Sequence, residues 1–230
     1  ADFAARDIAG WLDFDDWLLI DQRDDRYTGD WKLFLEVYGD CYHVPPSHPG
    51  LASFVDCASI EWTFGENFHV QFLDRSPRRG ARSAKYAEWA DGLDRYYEAR
   101  GEATPATAVA WVAVYPNLMI EAYNGLRVVS IVVPDGFGSY VNRVLSYVAP
   151  DMEGLTPGLA QTMTDAYEET VEEDMDLVDS RRDGMASAAS LGLTLDRYSA
   201  NLGGAALEDG VPHFQQWWTR RCADDPVPVG

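Results

Sequence analysis

Apolar positions along the chain recur in two periods, and the change from one to the other outlines the fold. WLLIDQ (17–22) has the apolar content of a short strand. In WKLFLEVYGDCY, Trp31, Phe34, Leu35, Tyr38 and Tyr42 fall at three- and four-residue steps, so one face of a helix is apolar, and Asp30 is placed to cap its first turn. Pro45 and Pro46 are expected to end that helix, because neither donates an amide hydrogen and a proline disfavours a helical residue before it. From Ser59 the period becomes two. IEWTFGENFHVQFL reads as two strands around Gly65-Glu66, and VAWVAVYP, NLMIEAYN, LRVVSIVVP and SYVNRVLSYVAP read as four more. Asn124-Gly125 is the strongest hairpin signal, since both residues tolerate positive φ.

These strands follow one another through short turns, which predicts an antiparallel sheet. Between them Tyr86, Trp89, Leu93 and Tyr97 form a helical stripe over 84–99. A long helix is expected after Pro157 and a last one from about Glu208 to Arg221. With no repeat or low-complexity linker, residues 1–230 are read as a single α+β domain: an antiparallel sheet with long C-terminal helices packed on it.

Composition narrows the function classes. A hydrophobic share of 47%, an aromatic share of 13% and 8 Trp in 230 residues supply a core of large side chains, not a disordered acidic tail. The formal charge of -20 repels phosphate backbones, so no nucleic-acid partner is expected. Acids crowd the stretch from Asp151 to Gly184, while Arg75, Arg78, Arg79, Arg82 and Lys85 make one basic loop, read as a solvated one. Cys41, Cys57 and Cys222 are odd in number and widely spaced, and there is neither an apolar leader nor a membrane-length apolar run. A cytoplasmic location without a membrane partner is expected. The chain starts at Ala1 with no initiating Met, from which a missing upstream segment is expected.

Candidate chemistry begins at DCYHVPPSHP (40–49). His43 and His48 are five positions apart, about 140° around a regular helix, so they converge only if the chain turns at Val44-Pro45-Pro46. On this spacing alone, a core or turn pair with satisfied rings is the default reading, ahead of a metal site. The long helix adds a third group. Its apolar stripe runs Leu159, Met163, Tyr167, Thr170/Val171 and Leu177/Val178, and Asp174 continues it between the last two pairs. Glu168, Glu172, Asp176 and Asp179 lie on the opposite, solvated face, and Glu173 at the margin is the competitor of Asp174. A core-facing ionised carboxylate costs several kcal/mol unless a cation or strong donors meet it. Two imidazoles and one carboxylate on one face of an iron leave positions open for oxygen, as in non-haem Fe(II) oxygenases. Asp40, one turn before His43, could orient an imidazole by accepting its remaining N–H.

Other metal readings fall short. A Rieske cluster takes two Cys and two His; Cys41-Tyr42-His43 offers one half, but Ile60 stands where the second half needs a histidine. Structural zinc fails because no CxxC pair exists. His69 and His213 are read as structural. Trp62, Phe68, Trp111, Tyr115 and Tyr123 are candidates for a pocket wall, with plain core as the bland alternative. Hydrolase, nucleotide and dinucleotide motifs are absent.

WKLFLEVYGDCYHVPPSHPGL, YEETVEEDMDL and EDGVPHFQQWW together resemble the catalytic domain of the Rieske-type aromatic-ring-hydroxylating oxygenase α subunits. The resemblance covers nearly everything from about Asp30, and the WK-x3-E-x3-D-x2-H-x4-H run is specific. It implies a helix-grip sheet around an apolar pocket, with mononuclear Fe(II) held by His43, His48 and Asp174. It implies that Asp40 connects His43 to a Rieske histidine of a neighbouring subunit in a homotrimer. It implies a small aromatic substrate, O2, and electrons from ferredoxin or a flavin reductase through a [2Fe-2S] Rieske cluster. Two departures stand out: Val37 replaces an Asn common in the family, and the cluster domain is missing, so the cluster is expected from an upstream segment or another chain, with residues 1–29 as the connection. Monohydroxylation, dihydroxylation and demethylation all fit. The alternatives are a metal-free helix-grip module that binds a hydrophobic ligand and a structural subunit of an oxygenase.

Overall fold

The computed structural model describes residues 8–77, 82–192 and 207–224. Arg78 and Arg79 of the basic loop, and residues 1–7 of the expected connection, lie outside the described residues. The fold is α+β: a seven-stranded sheet in the order β1-β7-β6-β5-β4-β3-β2 with helices on it. The strands are β1 (Leu18–Thr28), β2 (Val55–Phe64), β3 (Phe68–Arg75), β4 (Thr107–Val114), β5 (Leu118–Tyr123), β6 (Leu126–Pro134) and β7 (Ser139–Val148). Every pairing is antiparallel, so β2 to β7 form a meander and β1 closes its far edge on β7.

The helices are α1 (Ile8–Trp11), α2 (Lys32–Tyr38), α3 (Val44–Ser47), α4 (Ala84–Arg100), α5 (Met152–Leu155), α6 (Leu159–Ser190) and α7 (Gly210–Asp224). Strand alternation divides the sheet's residues between two faces. Val109, Trp111, Tyr123, Val128 and Val144 pack with α4 and with Leu159, Met163, Ala166 and Tyr167 of α6. On the opposite face Phe68, Val70, Phe72, Ala110, Val112 and Ala122 are covered by Ile8, Trp11 and Leu12. A third cluster joins α2 and α7 to the sheet through Leu35, Tyr115, Tyr140 and Phe214. Helices α4 and α6 approach closely at Gly92, where a Cβ would lie 2.3 Å from Leu159 Cδ1.

Three local expectations are corrected. The first strand runs to Thr28, well past the apolar stretch, because an edge strand needs only the backbone ladder to β7; its polar half carries ion pairs such as Arg143 to Asp24 at 2.7 Å. Helix α2 stops at Tyr38 and Tyr42 is exposed, since Gly39 packs against the start of α7 and a Cβ there would come 3.1 Å from the Gly210 carbonyl carbon. The two prolines do not merely terminate a helix; they sit in the first turn of α3, where amide hydrogens have no intrahelical acceptor to lose. In the Asn124-Gly125 hairpin only Gly125 is left-handed (φ 88), while the Asn124 side chain donates to the Thr107 carbonyl at 2.7 Å.

Candidate metal centre and its cavity

His43 and His48 are delivered by the α2–α3 corner. After Gly39, Asp40 Oδ1 accepts from the backbone amide of Tyr42 at 2.6 Å and more weakly from that of His43 at 3.4 Å. This turns the chain out of α2 and starts α3 at His43. One turn of α3 later, the His48 amide donates to the Val44 carbonyl at 2.9 Å. The prolines thus bring the rings together: their centroids are 5.1 Å apart and nearly perpendicular at 80°.

His48 has no solvent exposure and stands edge-on to α6. Its Nε2 lies 2.9 Å from Asp174 Oδ1, and its Nδ1 lies 2.9 Å from Glu173 Oε2. Burial opposes a charge on this ring, but the two carboxylates prevail and raise its pKa. His43 Nε2 is 3.7 Å from the same Asp174 oxygen, and its Nδ1 is 3.6 Å from Asp40 Oδ2, both beyond hydrogen-bond length. His43 Nδ1 is therefore buried without a partner.

Donor atoms of His43, His48 and Asp174 all lie within 4.8 Å of one another. Glu173, the competing carboxylate, sits instead on the outer nitrogen of His48 and is not part of that group. The set suits a divalent ion such as iron: two imidazole nitrogens and a carboxylate oxygen converge, with no thiol among them. Cys41 is buried beside Cys57, outside this group.

Beside these residues opens a narrow, mostly apolar cavity with about 80 Å³ of free volume. Of the five aromatic residues considered as pocket wall, only Trp111 lines it. Phe68 points to the other face, Tyr115 packs in the α2–α7 cluster, Tyr123 is core, and Trp62 stacks on Phe64. The structural reading of His69 and His213 agrees with their placement: Tyr115 Oη bridges their Nδ1 atoms at 2.7 and 2.8 Å.

Glu121 is a functional candidate the sequence reading passed over. It lies in β5 between Met119 and Tyr123, two inward-facing residues, so its carboxylate faces the cavity. The signal was the one that identified Asp174, a carboxylate at a core-facing position. Tyr167 donates to its Oε1 at 2.7 Å and Tyr123 to its Oε2 at 2.9 Å. Burial pushes its pKa up to about 7, against the lowering effect of the two phenols and His48 and with the added repulsion of Asp174.

The folded state therefore holds the Glu121 proton more tightly than the unfolded chain does. That stabilising contribution is whole below the ordinary carboxyl value of 4.5 and is lost as pH rises through about 7. In metal-stripped protein, Glu121→Gln should match the parent in thermal unfolding near pH 4.5 and exceed it at pH 8. Equal stability at both values would contradict this.

A family model described as the ring hydroxylating alpha subunit, catalytic domain, matches residues 14–224. A putrescine 2-hydroxylase of Ralstonia nicotianae is 35% identical over 95% of this chain and 58% of its own length. Its namesake in Bordetella bronchiseptica is 31% identical over 91% of this chain and 47% of its own. The chain thus spans about half the length of the curated relatives it matches. Among solved structures, a quaternary ammonium Rieske monooxygenase studied for carnitine oxidation shares the fold, with a TM-score of 0.65 and 17% identity over 96% of this chain and 54% of that one. No helix among the described residues is long and apolar enough to cross a membrane. A match over residues 14–224, most of the chain, settles the family: the chain belongs to the ring-hydroxylating alpha subunits and represents their catalytic domain.

Proposed function

We propose that the chain is the iron-bearing part of a Rieske-type monooxygenase, in which His43, His48 and Asp174 hold one Fe(II) at the side of the cavity. The single observation that carries this reading is the approach of those three donors within 4.8 Å beside a mostly apolar cavity. The bound metal would supply O2 activation, placing one oxygen atom into a C–H bond and the other into water with an electron pair delivered from outside. The chain's own residues do the rest. Glu173 fixes the ring of His48 from its outer nitrogen, and the rings of Tyr27, Phe34 and Trp111 keep water from the cavity.

Electrons come, in this reading, from a [2Fe-2S] cluster outside the chain, fed by ferredoxin or a flavin reductase. Asp40 suits the connecting role implied by the family: Oδ1 is spent on backbone amides, and Oδ2 is left 3.6 Å from His43 Nδ1. A homotrimer would bring the cluster of one subunit to the Asp40 of the next. The names of the relatives move the substrate away from an aromatic ring and toward a small nitrogen-bearing molecule. The metal-free module reading is weaker, because it treats both histidines as polar residues near a mouth, whereas His48 is wholly buried between two carboxylates.

Anaerobic loading followed by metal analysis tests the proposal, with about one ferrous ion per chain expected for three convergent ligands. A chain that stays metal-free overturns it. Glu173→Ala should weaken metal binding about 10–100-fold, the usual effect of removing a partner that orients a ligating histidine. Chelator competition reads this, and unchanged affinity would leave Glu173 no part in the site.

A further inference from the structure

The cavity lining holds carboxylates but no strongly basic side chain. Among its lining residues there is no Lys or Arg; the charged side chains are Asp40, Glu121 and Asp174, beside the two imidazoles. Asp40 and Asp174 belong to the candidate metal centre. Glu121 has two phenol donors, one on each oxygen, and no cation. A carboxylate offers about four lone-pair sites, so each oxygen keeps room for a further donor. Burying that charge is costly unless something positive meets it.

A second acceptor lies across the sheet. Asn142, another lining residue, is 3% exposed, its Nδ2 is directed at Ser130 Oγ at 3.4 Å, and its Oδ1 is buried without a hydrogen-bond partner. Glu121 is opposite Val128 and Asn142 opposite Val132, so the two acceptors stand two strands apart and four residues out of register. They serve separate points of one space. The aromatic rings that line the same cavity, Tyr27, Phe34, Tyr38, Trp111 and Tyr167, suit both an alkyl chain and a cation held over an aromatic face.

We infer that Glu121 anchors an ammonium group, with Asn142 as the second acceptor, and that the substrate is a small aliphatic diamine or monoamine. This deepens the oxygenase reading and rests on the cavity being its substrate pocket. An aromatic hydrocarbon would leave the Glu121 carboxylate without a counter-charge and Asn142 Oδ1 without a donor. A substrate with its own carboxylate would meet three acidic side chains and no Lys or Arg.

The test is calorimetric binding to the Fe(II)-loaded protein under anaerobic conditions, with 1,4-diaminobutane, 1,4-butanediol and benzoate as probes. The diamine should bind, and the diol and benzoate should bind at least about tenfold more weakly, as expected for loss of a charge-assisted hydrogen bond. Glu121→Gln should lose at least about tenfold in diamine affinity, keep its iron, and narrow the preference for diamine over diol. The substitution would then weaken binding while stabilising the metal-stripped protein at pH 8, a pairing that a purely structural glutamate does not produce. Diol or benzoate binding as tightly as the diamine, or an iron-loaded Glu121→Gln with unchanged diamine affinity, overturns the inference. So does iron-loaded parent protein that binds no diamine, and that result leaves the metal reading intact. Absence of iron from the parent sinks the oxygenase reading itself. The comparison of probes on the parent protein stands even if the variant does not fold.

Discussion

Replacing His48 with alanine is expected to abolish iron binding while leaving a folded chain. The ring is the most enclosed of the three proposed ligands and meets Asp174 with one nitrogen and Glu173 with the other. Its removal takes away a ligand and also the group that holds the Asp174 carboxylate toward His43. The loss should exceed the roughly 10–100-fold expected for an outer partner, so iron should fall below detection at micromolar protein. The fold should survive, because Glu173 and Asp174 have side chains 29% and 32% exposed and can be hydrated in place. His213→Ala is the control: that ring bonds Tyr115 outside the cavity, and its variant should keep the iron. Iron retained in His48→Ala, or lost equally from both variants, would contradict the assignment.

The largest effect on stability is expected from Trp89→Ala. Trp89 has no exposed surface and packs with ring centroids 4.5 Å from Phe54, 5.1 Å from Tyr123 and 5.6 Å from Tyr86. Truncating a buried tryptophan costs about 3–5 kcal/mol, a large share of the roughly 5–15 kcal/mol by which domains are stable. For a chain of this size Tm should fall by on the order of 10 °C. The same rings reach the functional site: Phe54 closes the turn after His48, and Tyr123 donates to Glu121. Trp62→Ala, which removes a half-buried ring stacked on Phe64, should cost less than about 1 kcal/mol. Denaturant unfolding distinguishes the two, and similar costs would mean that the core is not centred on Trp89.

Periodicity revealed what depends on burial. The two-residue alternation of β2 to β7 and the stripe of α4 were readable because one or both faces are packed, so apolar residues had to recur in register. The polar half of β1 was not, because its partner is a backbone edge that imposes no side-chain pattern. The end of α2 was hidden for a related reason: it depends on contact between Gly39 and Gly210, far apart in sequence.

Much of the candidate site was legible as well. Asp174 stood out as a charge in an apolar stripe, and the spacing of the histidines with two prolines between them required a turn. Glu121 obeyed the same rule on a strand but was overlooked, because NLMIEAYN was read only as a hairpin arm. The role of Glu173 could not be separated from that of Asp174 by helical phase alone. It depends on His48 standing edge-on, so that neighbouring carboxylates reach opposite nitrogens of one ring.

The central claim is that one ferrous ion sits among His43, His48 and Asp174. Anomalous diffraction at the iron edge from crystals of the Fe(II)-loaded protein tests it most directly. The account predicts a single strong peak within bonding distance of both imidazoles and the Asp174 carboxylate, with Glu173 still on the outer nitrogen of His48. A peak located elsewhere, or no peak and a His48 Nε2 still hydrogen-bonded to Asp174, would contradict it.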